Sequence, residues 1–135
     1  MVNTNEIMLG NQFLVGKGYD WEEYVSVEEI FGNSVSLHSR EFTTYSQTLE
    51  PIHITEEILQ KSGFIKRPIV LWVSYEKEIG GFFVSFHNSS NMEGRDWYMH
   101  IDTKDHMSCG SADVQYIHQA QNLANIVGFE LTFEL

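Results

Sequence analysis

Alternation of apolar and polar residues dominates the first fifty residues and predicts short β-strands separated by turns. Apolar residues concentrate at Met8–Val15, and Val35 and Leu37 alternate with serines and a histidine. Alternation with a period of two is typical of strands that bury one face. Glycine-containing segments at 16–18 and 31–34 predict the turns. We therefore expect a small, strongly bent, SH3-like β-rich part at the start of the chain.

A helix is predicted shortly after Pro51, which keeps the preceding residue extended and marks a junction. Thr55 suits the N-cap, two glutamates follow it at the positive end of the helix, and Gly63 provides the stop. The chain is accordingly predicted to divide into a β-rich subdomain at 1–51 and an α+β subdomain at 52–135. One compact unit formed by both parts is the alternative.

Strand patterns return after this helix. Ile69–Glu76 and Phe82–His87 flank a pair of glycines and predict a hairpin. A third strand is predicted at Asp96–Asp102, which would complete an antiparallel meander. The small polar residues Ser108–Ser111 predict a loop.

The last twenty-five residues predict a second helix and a final strand. Ser111 or Asp113 would cap the helix, and Gly128 would end it after about Val127. Alternation over 129–134 is typical of a half-buried strand. The whole pattern predicts an α+β fold, in which a β-rich SH3-like part precedes a helix, an antiparallel meander, a helix and a final strand.

The second helix carries the polar side chains that are the candidate binding residues. At about 100° per residue, these side chains lie opposite the apolar side of the helix. The candidate binding residues are Gln115, His118, Gln119 and Asn122. Catalysis by His118 would need a partner that fixes its tautomer, and amides cannot act as acid or base. The polar side is therefore either an interaction surface or a solvated or locally packed face, and no catalytic residue is predicted.

One cluster has the side chains of a metal site. His100 and Asp102 would point the same way on a strand, and His106 could fold back from the following loop. Histidine and carboxylate can hold a divalent cation, but the spacing matches no established signature. An exposed loop is the alternative, and no cofactor is predicted.

Cys109 and the aromatic residues are two further candidates for a functional role. Cys109 follows His106 by three residues, but the aspartates around it disfavour the thiolate that a nucleophile needs. The aromatic residues of the predicted strands should mostly form a core, with Tyr75 and Phe83 as candidates for an exposed binding surface.

The charge balance restricts the partners. Asp and Glu number 19 against 8 Lys and Arg, giving a net charge of −11. Such a surface repels nucleic-acid phosphates and anionic lipid. A single cysteine and an N-terminus without a basic flank and long apolar run indicate a cytoplasmic protein without a membrane anchor.

Three stretches of the chain are LGNQFLV, PIHITEEILQKSGF and YIHQAQNLANIVGFELTFEL. Together, and in this order, they resemble a family of small uncharacterised proteins from Bacteroides-type bacteria and their prophages. The resemblance covers about a third of the chain, counted from the matched motifs. Ala120, Val127 and Phe129 depart from the family pattern on the scale of packing. The resemblance implies a bacterial or prophage origin and no established activity.

These observations together predict a non-enzymatic protein-interaction domain that binds an unknown protein through the polar helix face or a sheet edge. The alternative is a small-molecule or carbohydrate-binding domain that uses exposed aromatic residues, and a third hypothesis is an enzyme that uses His100, Asp102 and His106 with a metal. Self-association into a homo-oligomer is also left open.

Overall fold

A computed structural model describes residues 6–31, 34–37, 43–45, 49–69, 72–89 and 97–135. Within these residues the fold is α+β, with two antiparallel sheets and two helices, which confirms the predicted class. The chain forms two compact units. The first takes in Met1–His53 and Tyr116–Asn122, and the second Ile54–Gln115 and Leu123–Leu135.

The first unit contains a four-stranded meander. Its strands are β1 (Gln12–Val15), β2 (Glu23–Phe31), β3 (Ser34–Leu37) and β4 (Thr43–Tyr45), paired in that order. The strands predicted from the alternation are thus present, with a register shift in β2 between Val27 and Glu29. The predicted turn at 31–34 lies partly outside the described residues.

The core of the first unit comes from the inward positions of these strands and from flanking segments. Seven buried side chains form it: Ile7, Phe13, Val15, Val25, Val27, Leu37 and Leu49. Two reciprocal backbone hydrogen bonds of 3.0 and 2.8 Å join Leu14 to Glu50 and hold the chain beyond β4 against β1.

The second unit contains a five-stranded antiparallel sheet. Its strands are β5 (Ile65–Ile69), β6 (Trp72–Ile79), β7 (Phe82–Ser89), β8 (Trp97–Thr103) and β9 (Ser108–Val114), in chain order. The hairpin and the third strand were predicted, although residues 70, 71 and 96 of the predicted segments lie outside the described residues.

The two edge strands of this sheet were not predicted, and the loop predicted at Ser108–Ser111 is wrong. β5 reads IKRPI and contains a proline, while β9 reads SCGSADV and contains small residues. The proline of β5 and the small residues of β9 disfavour strands, so the pairing with a neighbouring strand decides their conformation.

Helix α1 (Glu56–Lys61) matches its sequence signals. The Thr55 hydroxyl accepts a hydrogen bond from the Ile58 amide at 3.2 Å, and Gly63 follows the helix with φ +91°. Leu59 is the buried residue that anchors this helix in the second unit.

Helix α2 (Ile117–Val127) begins later than predicted because Ser111 and Asp113 belong to β9. The Tyr116 amide donates instead to the Gln119 side-chain oxygen at 3.0 Å, near the start of the helix. The predicted stop at Gly128 is confirmed, with φ +123°. Neither helix in the described part of the chain is long and apolar enough to cross a bilayer.

The predicted final strand is wrong, since residues 129–135 form no strand. Leu131 and Phe133 are buried, and the Phe133 ring lies 6.4 Å from Phe64 and 6.3 Å from Phe86. The Glu134 amide donates to the Ser62 hydroxyl at 2.9 Å. The alternation therefore reflects burial of every second side chain by an extended segment.

Candidate functional site

His118, the central residue of the predicted binding face, is buried. Only 1% of the residue is exposed, and its ring lies 5.0 Å from Phe13 and 5.8 Å from Tyr116. Its Nε2 atom is 3.5 Å from the Glu6 carboxylate, which is long for a hydrogen bond. Burial lowers the pKa of His118, and Glu6 opposes that shift only in part.

The amides around His118 bind within the first unit. Gln121 accepts from the Gln12 backbone amide and donates to the Gln12 side chain, both at 2.9 Å. Asn122 donates to the Glu6 carbonyl at 2.6 Å. These contacts fix the start of α2, so this part of the predicted binding face is locally packed.

The remaining predicted binding residues lie at the start of α2 and just before it. Gln119 is half-buried and accepts from the Tyr116 amide, as described above. Gln115 is half-buried, and its carbonyl accepts from the Ile54 amide at 3.1 Å. Because His118 is almost fully buried, the exposed surfaces of the chain are better candidates for binding a partner.

Two of the three residues of the predicted metal site contact each other, and the third contacts a phenylalanine instead. His100 Nε2 and Asp102 Oδ1 lie 2.8 Å apart on β8, as the strand geometry predicted. His106 instead stacks on Phe83, with ring centroids 6.1 Å apart. Among the residues that the structure describes, no three His, Cys, Asp or Glu side chains are placed to hold a metal ion.

The side of the second sheet away from its core is here called the open face. It carries two exposed aromatic residues and two half-buried histidines: Phe83, Tyr98, His87 and His100. Cross-strand pairing places His87 opposite Tyr98 and Ser85 opposite His100. His87 Nε2 is 3.0 Å from the Ser85 hydroxyl. The pKa of His87 is lowered by burial and then by the charge of His100.

The two aromatic candidates of the sequence differ in exposure. Phe83 is 40% exposed and lies on the open face. Tyr75 is 2% exposed, on the opposite side, where it packs edge-on against Trp97 at 5.5 Å. Burial of its hydroxyl, and then its neighbour Glu56, raise the pKa of Tyr75 far above its usual value. Tyr75 is therefore a core residue.

Strand β9 forms one edge of the second sheet and is accessible along most of its length. Ser108, Cys109, Ser111 and Asp113 are exposed, and Gly110 and Ala112 are half-buried. No backbone hydrogen bond within the described residues joins β9 to an element other than β8. The free thiol of Cys109 lies 3.6 Å from the Met107 carbonyl.

An exposed aromatic pair in the first unit escaped the sequence reasoning. Tyr19 and Trp21 are 66% and 54% exposed in the connection between β1 and β2. Their rings stack with centroids 5.5 Å apart. The signal in the sequence is the stretch GKGYDWEEY, in which two glycines precede three aromatic residues.

No protein-family model matches this chain, and no curated protein or solved structure shows significant similarity to it. The candidate surfaces must therefore be judged on their geometry and chemistry.

Proposed function

We propose that the chain is a non-enzymatic protein-interaction domain and that β9 pairs with an extended segment of a partner protein. The accessible edge of β9 is the observation that carries this proposal. An added strand would extend the five-stranded sheet, and its main-chain hydrogen bonds would supply affinity.

The two edges of the second sheet support the choice of β9. Edge strands commonly carry lysine or proline, which discourage pairing with other chains. β5 has Lys66, Arg67 and Pro68, and Arg67 forms a 2.6 Å ion pair with Glu76. β9 has neither a cationic residue nor a proline. The sheet is thus protected on one edge and available on the other.

The side chains of β9 also suit an incoming strand. Ser108 and Ser111 are small and exposed on the open face, so they leave room for the side chains of an added strand. On β8, His100 lies opposite Ser111 and offers a polar group, and Tyr98 lies opposite Asp113 and offers a ring. Backbone pairing would bind the segment, and these neighbours would select its sequence.

The origin of the protein, its location in the cell and the character of its first unit are also proposed. A bacterial or prophage accessory protein, of the Bacteroides type, rests on the resemblance of the three quoted stretches. A cytoplasmic location is supported by the single cysteine. An SH3-like character of the first unit is supported by its short antiparallel meander, β1–β4.

The test uses Cys109, the one cysteine of the chain, as a reporter on β9. A partner is isolated by crosslinking in cells that express the protein, and the binary complex is then purified. We expect the partner to slow alkylation of Cys109 and to protect the amides of 108–114 from hydrogen exchange. Ser111→Lys should weaken binding about tenfold or more because a lysine on an edge strand opposes pairing.

The matched control is Ile65→Lys, which introduces the same side chain at an exposed position of β5. It should bind the partner as the wild type does. A complex in which 108–114 exchange at the unbound rate, or in which both lysine variants bind equally, would contradict the proposal. Protection of β9 in a homodimer would identify a second copy of the chain as the occupant.

A carbohydrate- or small-molecule-binding domain is the second candidate, and the exposed ring of Tyr98 favours it. Tyr98 is 44% exposed and lies 6.4 Å from the His100 ring, which in turn contacts Asp102. A flat ring beside polar groups suits a sugar. Oligosaccharides that shift the NMR signals of the His100 ring in the wild type, but not in Tyr98→Ala, would favour this candidate over β9 pairing.

A further inference from the structure

The connection between β1 and β2 carries the stacked, exposed rings of Tyr19 and Trp21, here called the Tyr19–Trp21 platform. The two rings are nearly parallel, at 17°, and more than half of each residue is exposed. Stacked aromatic residues are usually buried, because water contact with their rings is unfavourable. An exposed stacked pair indicates a surface for a ligand with a flat or cationic group.

The backbone of this connection holds the platform in place. Gly16 has φ +67°, and a Cβ atom there would lie 2.6 Å from the Cζ3 atom of Trp21. The Trp21 ring therefore packs directly on the backbone of Gly16. The Tyr19 amide donates to the Gly16 carbonyl at 2.9 Å, and the Glu22 carboxylate accepts from the Gly18 amide at 2.9 Å.

The charges of the same segment indicate the sign of the ligand. Asp20 and Glu22 are exposed within the connection, and Lys17 is the one cationic residue in the sequence of segment 16–22. The whole chain carries −11. A cation placed over the rings would be attracted by their π-electrons and by these carboxylates together.

Among cations, a guanidinium group fits this surface best. It is planar, stacks on aromatic rings, and is more weakly hydrated than an ammonium group. A neutral sugar would use the rings without using the carboxylates. We propose that the Tyr19–Trp21 platform binds an arginine-rich segment of a partner protein. This contact goes beyond the proposed function, because it lies in the other compact unit and does not require pairing at β9.

The test is binding of a fluorescent peptide of repeated Gly-Arg-Gly-Ser units to the full chain, followed by anisotropy. The wild type should bind it more tightly than the matching lysine peptide, and a peptide of Gly and Ser alone should not bind. Tyr19→Ala should weaken binding of the arginine peptide about twofold to fivefold, the loss of one exposed cation–π contact. Asp20→Asn should weaken it and reduce its dependence on salt.

Tyr24→Ala is the control, since it removes another exposed tyrosine of the first unit, from strand β2, and should leave affinity unchanged. Tyr19→Phe should retain binding because the ring remains. Trp21→Ala is informative only together with its melting curve, since that ring also packs on Gly16. The proposal is overturned if Tyr19→Ala binds like the wild type or if lysine and arginine peptides bind equally. Displacement of the peptide by maltohexaose would also overturn it.

The Ser111→Lys variant separates this proposal from the first one. It should bind the arginine peptide normally even where it loses the partner segment at β9. Loss of peptide binding in Ser111→Lys with retention in Tyr19→Ala would assign the peptide to β9 and contradict a binding role for the platform.

Discussion

At the scale of single residues, Gly16 determines whether the Tyr19–Trp21 platform can form. Its positive φ and its contact with the Trp21 ring both require the absence of a side chain. Gly18, two residues later, also has a positive φ, of +84°, but a Cβ atom there would meet no heavy atom within 4 Å. Substitution of Gly18 therefore introduces backbone strain alone, whereas substitution of Gly16 introduces strain and a steric clash together.

Gly16→Ala should destabilise the protein by about 2–4 kcal/mol, the sum of left-handed backbone strain and displacement of the indole ring. Gly18→Ala should cost only the strain, about 1–2 kcal/mol. Urea unfolding measures both free energies. Equal losses would show that the Trp21 ring does not rest on Gly16.

At the scale of elements, the final segment shows what alternation can and cannot predict. It correctly identified Leu131 and Phe133 as the inward side chains, and incorrectly assigned a strand. Alternation reports which side chains face a core, whereas a strand also needs a neighbouring backbone. The aromatic contacts of Phe133 and the bond to Ser62 supply the anchoring instead.

Phe133→Ala should therefore destabilise the second unit by about 3–5 kcal/mol, as for other buried phenylalanines. The neighbouring Thr132 is exposed, so Thr132→Ala should change the free energy of unfolding by about 0.5 kcal/mol or less. Thermal unfolding with far-ultraviolet circular dichroism compares the two. A small effect of Phe133→Ala would indicate that residues 129–135 contribute little to the core.

The candidate sites were only partly predictable, because local sequence patterns do not show contacts between distant parts of the chain. The strands with large alternating residues and the capped helix α1 were predictable, because their signals are local. β5 and β9 were not, since their partners decide their structure. The helix face containing His118 and Asn122 was predicted as polar, but burial depended on Glu6 and Phe13, more than a hundred residues away in the chain.

At the scale of the whole molecule, His118 and His87 link stability to pH. Burial lowers the pKa of both below the ordinary value of 6.5. The unfolded chain then binds more protons than the folded chain at any pH between the lowered value and 6.5. The free energy of unfolding therefore has its full value above pH 6.5, where both histidines are neutral in the folded and unfolded chain. It decreases as the pH falls below 6.5 and through the lowered pKa values of the folded chain.

We expect the free energy of unfolding to fall below pH 6.5 by up to about 1.4 kcal/mol per pH unit for each such histidine. His118→Phe should flatten this dependence, since the aromatic contacts with Phe13 and Tyr116 can remain. His87→Gln removes the second contribution, and the double variant should be flattest. Glu56, whose pKa Lys66 lowers from 4.5, acts only at more acidic pH. A profile unchanged by both substitutions would contradict this account.

The division of the chain into its two units has a consequence for synthesis. The first unit needs residues 116–122, although its other residues, 1–53, leave the ribosome first. During translation, sixty-two residues of the second unit are synthesised before residues 116–122 become available to the first unit. Neither unit is a continuous stretch of gene, so no single cut in the coding sequence would release either one intact.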